Sequence, residues 1–295
     1  MTHLHESRSD IVFVTFCYIF VTSLAIVTAF PFWEQMVLSI SNRADANRIG
    51  LKLFTANPDF TAYRQIWSSS NIWRSAWNSV VRVVTGTALS VTLTALTAYP
   101  LSKKKFLFNK QFTLIILFTM IFSGGLIPGY LLITKQLHLT DTLFALILPG
   151  AVGAYNLIIV RNFLRTIPAS LEESARIDGA GDFRIWWSIV LPLSTAVLAT
   201  VSLWVAVGHW NAYFDSLLYT RDTSKYVLQI FLRRVLLEQQ MDMLADGMII
   251  DMSAKPTEIS VRAALIVFST LPIVIVYPFL QKYFVKGIML GSVKG

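Results

Sequence analysis

Residues 162–192 read NFLRTIPASLEESARIDGAGDFRIWWSIVLP, a polar run flanked by strongly apolar ones. Pro168 interrupts the helix that precedes it. Ser170 and Glu173 have the spacing of a capping box, in which hydroxyl and carboxylate each satisfy an orphan backbone N–H. That predicts a helix through Ser170, Leu171, Glu172, Glu173, Ser174, Ala175, Arg176 and Ile177. Past Asp178 it stops at Gly179, which suits the left-handed position after a helix end, and Ala180 follows. Asp182 is placed to cap a second helix that continues through Trp186 and Trp187. A two-turn helix fixed by turns, with small side chains at Ser174 and Ala175, has two mechanical readings: a solvated amphipathic connector, or a knob gripped by a soluble partner.

On both sides of this stretch the apolar runs are long enough to cross a bilayer. Polar punctuation divides the chain into six predicted spans, at 11–33, 77–100, 112–135, 143–163, 186–209 and 263–284, within one transmembrane domain covering 1–295, with the polar segment 164–185 between the fourth and fifth. The composition agrees: 55% of residues are hydrophobic and 14% charged, whereas a soluble domain carries about 25% charged residues. The first span is predicted to be an uncleaved helix, because its apolar stretch of about 20 residues exceeds the ~7–15 of a secretory signal.

The loop after the second span holds Lys103, Lys104, Lys105 and Lys110 and no acid, whereas the turn after the third holds only Asp141. The excess of Lys and Arg on the cytoplasmic side then places the lysine loop inside, together with Arg161, Arg165, Arg176 and Arg184, and with Lys282, Lys286 and Lys294 of the tail. Both termini are predicted to be cytoplasmic, and the long loops 34–76 and 210–262 to lie outside. Trp33, Trp73, Trp77, Trp186, Trp187 and Trp210 fall at span ends, as an interfacial aromatic belt requires. The net charge of +8 is therefore a map of topology and gives no sign of nucleic acid. The one cysteine, Cys17, excludes an intrachain disulfide and reads as a small buried hydrophobe. Pro100, Pro128, Pro149, Pro192, Pro272 and Pro278 predict kinks, which transporters use around water-lined cavities and which membrane helices in general tolerate.

Glu173-Ser174-Ala175, Asp178-Gly179-Ala180, Phe183, Ile189 and Leu191-Pro192-Leu193 resemble the cytoplasmic EAA loop of binding-protein-dependent ABC importer permeases. The likeness extends to Asn78-Ser79, Ala98-Tyr99-Pro100-Leu101-Ser102, Gly124-Gly125-Leu126-Ile127-Pro128, Trp210-Asn211 and the tail from Gln281 to Gly287, and is closest to the oligosaccharide and polysaccharide branch. The resemblance implies an all-α membrane protein with the six-helix fold of type I ABC importer permeases, working by alternating access in a bacterial inner membrane. It implies that residues from Ser170 to Ala180 couple to an ATPase subunit. The implied partners are a second homologous permease, two ATPase subunits that bind ATP and Mg, an extracytoplasmic solute-binding protein, the lipid bilayer and a sugar substrate, with no cofactor in this chain. Two positions depart from the family pattern. Ser174 stands in place of the first alanine, and Thr195-Ala196 stand where lysine and proline often follow Leu-Pro-Leu, which bears on the bend of the fifth span.

Other function classes leave weaker marks. No Gly-x-x-x-x-Gly-Lys-Ser/Thr phosphate loop is present, so the chain is not read as an ATP-hydrolysing enzyme by itself. An ion-coupled secondary sugar transporter would place ionisable residues within its spans; Arg82, near the outer end of the second span and able to snorkel, is the only clear one. Gly179-Ala180-Gly181-Asp182 matches a string of intramembrane aspartyl proteases, but their chemistry needs two carboxylates sharing a proton, and no span core holds an Asp or Glu. His3, His5, His138 and His209 show no metal-binding spacing, and His209 reads as an interfacial hydrogen-bonding residue. Segment 226–240, with Val227, Phe231 and Val235 at four-residue spacing, reads as a helix at the membrane surface or, as the resemblance suggests, part of the surface that receives the binding protein. Arg82, Arg221, Arg233 and Arg234 would favour an acidic sugar, against the acids Asp242, Asp246 and Asp251 downstream. Tyr155, Trp204 and Tyr213 read as packing residues before sugar platforms.

Overall fold

The computed structural model describes residues 8–237 and 257–292, with side chains excepted for Arg8 and 279–292. Asp242, Asp246 and Asp251, the end of segment 226–240, the leader histidines and the side chains of the family-like tail lie outside the described residues.

The chain opens with α1 (Arg8–Ser39), followed by α2 (Arg43–Ala46), α3 (Thr61–Ser68) and α4 (Ser70–Ser102). None of the apolar window of α1 is buried within the protein, as befits a helix apolar on every side and solvated by lipid. Helix α4 is built differently. Ser75, Ser79, Gly86, Ser90, Thr94 and Ala98 repeat on one buried face, where small side chains let neighbouring helices approach closely. Gly86 shows how close: a Cβ there would lie 2.5 Å from Nε2 of His209. His209 thus packs against α4, a more enclosed place than the interfacial one predicted.

The remaining spans are broken helices. Helix α5 (Asn109–Ile121) meets α6 (Leu126–Leu131), which runs on through a π turn at Leu132–Gln136, at 108° across the Gly124-Gly125 break. The fourth predicted span becomes two short helices, α7 (Leu143–Ile147) and α8 (Ala154–Leu164), separated by a stretch containing Pro149, Gly150 and Gly153. Next come α9 (Ala169–Ile177) and α10 (Asp182–Ile185), the latter passing through a π turn at Trp186–Val190 into α11 (Leu191–Leu193) and, after a 78° bend, α12 (Thr195–Asn211). Pro192 accounts for the π turn: it lacks an N–H and its ring collides with the carbonyl one turn back. Ser194 marks the bend, its Oγ donating to the Val190 carbonyl at 2.6 Å, a back-bond that bends helices. The chain continues with α13 (Phe214–Tyr219), α14 (Leu228–Leu237) and α15 (Glu258–Ser292), which carries Pro272 and Pro278.

Three helices, Ser9–Ser39, Ser70–Ser102 and Glu258–Pro278, are long and apolar enough to cross a membrane, or five crossings if each bent pair is one. The pieces of the fourth predicted span are too short to meet that measure.

Internal contacts divide the described residues into two units, one within Met1–Ser70 and Val235–Thr270, the other within Asn71–Arg234 and Leu271–Gly295. In the first, Trp33 Nε1 donates to the Leu53 carbonyl at 2.9 Å and Ser260 Oγ donates to the Ser41 carbonyl at 2.9 Å. In the second, one apolar cluster joins the end of α4 (Ala95, Ala98, Leu101), α8 (Leu157, Val160, Leu164), the segment Ile185, Trp186 and Val190, and the start of α12 (Val197, Val201). Burial of this cluster is what holds the polar segment between α8 and α10 in place.

Candidate functional site

Helix α9 begins earlier than the capping box predicts. Pro168 is the N-cap residue, with extended ψ of 130°, so Ser170 and Glu173 lie inside the helix and no side chain caps it. The end matches expectation in detail. Gly179 has φ +81°, its N–H donates to the Arg176 carbonyl at 3.0 Å, and the Ala180 N–H donates to the Ala175 carbonyl at 2.9 Å. These are the two bonds of a Schellman motif. Ala175 and Ala180 both pack against the apolar cluster, which closes that motif with its hydrophobic contact. Asp182 is the first helical residue of α10 and not its cap, which is Gly181. Its carboxylate instead accepts from Arg176 Nη2 at 2.6 Å, bridging the turn between the two helices.

The two faces of α9 differ in chemistry. Glu172 is 8% exposed and pairs with Lys103, whose ammonium also sits 4.6 Å above the Tyr99 ring. Lys103 follows directly on α4, so α9 is fastened to the end of that helix by a charge pair and to the apolar cluster by Ala175. Ser170, Leu171, Glu173, Ser174, Arg176, Ile177 and Asp178 face outward, and Ile177 is 87% exposed. A nearly bare isoleucine on a polar helix is apolar surface left uncovered by the described residues. Of the residues predicted for this element, Glu172 and Ala175 therefore serve internal attachment, while Ser174 keeps an open small-residue surface.

About six turns back along α4, at Arg82, the structure holds a centre that sequence reasoning missed. Arg82 is 2% exposed and does not snorkel. Its Nη1 donates to Asp215 Oδ1 at 3.1 Å and to the Ala212 carbonyl at 3.3 Å, while Nη2 pairs with Asp215 Oδ2 and donates to the Leu146 carbonyl at 3.4 Å. Bidentate pairing with further carbonyl acceptors is the arrangement that lets a buried guanidinium persist. Asp215 follows the fifth span and returns on α13 to reach α4. Nearby, Asn78 Nδ2 donates to the Ser224 and Tyr226 carbonyls at 2.9 and 3.0 Å, and Ser79 Oγ accepts from the Leu228 N–H at 2.8 Å at the start of α14. Asp141 Oδ1 accepts from the Arg221 and Asp222 N–H groups at 2.6 and 2.9 Å.

Segment 226–240 is helical from Leu228 to Leu237, yet Val227, Phe231 and Val235 are buried, so its apolar side is covered by protein and not by a membrane surface. Arg233 lies 5.0 Å from the Tyr213 ring centre and Arg234 lies 4.6 Å from that of Tyr226. These arginines, like Arg82, have partners within the chain; of the four proposed to attract an acidic sugar, Arg221 is exposed. Tyr155 and Trp204 lie with ring centres 6.1 Å apart, and both rings are exposed.

Comparison with known proteins follows the same lines. The profile of the family described as binding-protein-dependent transport system inner membrane component matches residues 75–290, which include Arg82, the C-terminal end of α4 and all of α9. The chain is 41% identical to the polygalacturonan/rhamnogalacturonan transport system permease protein YtcP of Bacillus subtilis (strain 168), over 94% of this chain and 96% of that one. It is 39% identical to Protein LplC of the same organism, over 99% and 98%. Its fold superposes with a TM-score of 0.88, at 33% identity over 96% of this chain and 100% of the other, on a chain from the crystal structure of a bacterial ABC transporter involved in the import of the acidic polysaccharide alginate. The broken, proline-bent spans and the fastened polar helix are thus those of a known architecture, and the chain belongs to the binding-protein-dependent transport system inner membrane components, the multi-pass permeases of ABC importers.

Proposed function

We propose that this chain is one of two homologous permeases in an ATP-driven importer of sugar oligomers, and that α9 is its coupling helix. The observation that carries the coupling role is the division of α9 into an attached face, through Glu172 and Ala175, and a free one topped by Ile177. A helix gripped from outside on Ile177 would pull on Lys103 and on the cluster joining α4, α8 and α12. ATP and Mg belong to two ATPase subunits that seat against the free face, and an extracytoplasmic solute-binding protein delivers substrate on the opposite side. In this reading the chain crosses the membrane six times, α7 and α8 together forming the fourth crossing, with both termini in the cytoplasm and segment 164–185 on that side. Alternating access then follows from motion of the bent α10–α12 span against α4.

The substrate class rests on the relatives, a permease of a polygalacturonan/rhamnogalacturonan transport system and a chain of a transporter involved in the import of the acidic polysaccharide alginate. We assign an oligosaccharide rich in uronic acids, with the selectivity residing elsewhere than in Arg82, Arg233 and Arg234, whose charges are already engaged. The deciding experiment is reconstitution of the full transporter in proteoliposomes with Gly179→Pro. The variant is expected to assemble and hydrolyse ATP while accumulating no sugar, because proline cannot adopt φ +81°. Normal coupled uptake by this variant would contradict the role of α9. Uptake by the wild-type chain without ATPase subunits would overturn the ATP-driven reading altogether.

A further inference from the structure

Between the loop that follows α4, the start of α5 and the end of α8, and independent of any coupling role, lies an open cavity of ≈ 570 Å³ lined by Lys104, Lys110, Arg161 and Arg165 together with Phe106 and Phe108. No carboxylate lines it, and none of these four cations belongs to an ion pair among the described residues. Arg161 and Arg165 stand one turn apart on the same side of α8 and its end, a like-charge arrangement that is unfavourable without an anion between them. Their bonds within the chain are long: Arg161 Nη1 to Thr113 Oγ1 at 3.3 Å and Arg165 Nη2 to the Leu101 carbonyl at 3.4 Å, with Arg161 Nε buried and unpartnered. At the rim, Phe108 is held in the left-handed region at φ +57°, a strain that a bulky residue accepts where surrounding function demands it.

The second half of the observation is apolar. Helix α5 starts at this rim and runs away from it with no buried residue along its whole length, exposing Phe112, Leu114, Ile115 and Phe118. Four unmatched cations at the head of a lipid-facing apolar helix complement a molecule that is anionic at one end and hydrocarbon at the other.

We propose that this cavity is a binding site for the phosphate headgroup of an anionic phospholipid whose acyl chains lie along α5. The cation excess recognises the phosphate, and two phosphates on one lipid match it better than one. The bound headgroup would steady the lysine loop directly beside Lys103 and so the anchor of α9. The site rests on the chain's place in a membrane and not on the proposed engagement with an ATPase subunit.

The test uses the assembled transporter in nanodiscs, with lipid association measured by native mass spectrometry. Phosphatidylglycerol and cardiolipin are expected to associate in preference to phosphatidylcholine. In Lys104→Gln/Lys110→Gln/Arg165→Gln that preference is expected to vanish, since each basic residue near an anionic lipid contributes about fivefold. Arg184→Gln, an exposed cation outside the cavity, should leave the preference intact. If the triple variant does not assemble, Lys110→Gln alone is expected to lower the preference about fivefold. Equal association of phosphatidylcholine with the wild type, or an unchanged preference in the variants, would overturn the proposal. Displacement of phosphatidylglycerol by millimolar inorganic phosphate, with phosphate bound as tightly as lipid, would overturn the lipid assignment in favour of a free-anion site. None of these readouts requires transport, so their failure leaves the coupling role of α9 untouched.

Discussion

Two points on α4, Arg82 within it and Lys103 just past its last residue, carry the same kind of chemistry in opposite mechanical settings. They lie about 30 Å apart at 1.5 Å per residue. At the first, Arg82 is sealed within the protein and makes four hydrogen bonds through its two terminal nitrogens, to one carboxylate and two carbonyls. At the other, Lys103 and Glu172 form a single contact with the lysine a third exposed. A bidentate, many-partnered pair has one geometry and gives way all at once. A single pair between a flexible lysine and a short helix can lengthen, rotate and reform. The difference makes Arg82 a rivet within α4 and Lys103 a hinge at its C-terminal end.

The sharpest way to break this comparison is Asp215→Ala, which strands a buried guanidinium. Loss of one member of such a pair is expected to lower stability by about 3 kcal/mol, seen as a large drop in the thermal midpoint of the purified chain in detergent. Arg82→Met/Asp215→Leu should recover most of that loss. A midpoint unmoved by Asp215→Ala would show that Arg82 is not the rivet. Next in size is Gly86→Ala, whose new methyl would meet the His209 ring. Overpacking of this kind is expected to remove about 2 kcal/mol, and His209→Ala in the same chain should restore the midpoint if the contact is the cause.

At the hinge, Gly179→Ala is expected to be milder. Nothing lies within 4 Å of the added methyl, so the penalty is the left-handed backbone alone, about 1–2 kcal/mol. A midpoint change as large as that of Asp215→Ala would mean that the turn after α9 is as rigid as the rivet. Smallest of all on stability is Ile177→Ser, expected within about 0.5 kcal/mol because the side chain touches solvent. Its effect should appear in pull-down of the ATPase subunits, which should weaken while the midpoint stays put. A weakened midpoint with unchanged subunit association would reverse the assignment.

The parts legible in the sequence are those whose cause lies within a few residues. Gly179 announces the end of α9 because only a residue without a Cβ adopts that φ easily, and Pro192 announces the distortion before α12 because its missing N–H is a local fact. The start of α9 was misread for a related reason: Ser170 and Glu173 satisfy the capping spacing, but Pro168 already supplies an extended residue that needs no side-chain cap. Arg82 and Asp215 are 133 positions apart, and no periodicity connects them; Asp215 reads as an ordinary loop acid until α13 turns it back towards α4. Likewise the apolar spacing of Val227, Phe231 and Val235 gave the helix correctly, but not whether lipid or protein covers it.

The free face of α9 has a consequence for descent. Ser170, Glu173, Ser174 and Ile177 point away from the rest of the chain, so their identities answer to whatever molecule sits opposite and scarcely at all to the fold beneath. On the coupling role proposed for α9, drift at those four positions would readdress the permease to a different ATPase while Glu172, Ala175 and Gly179 stay fixed.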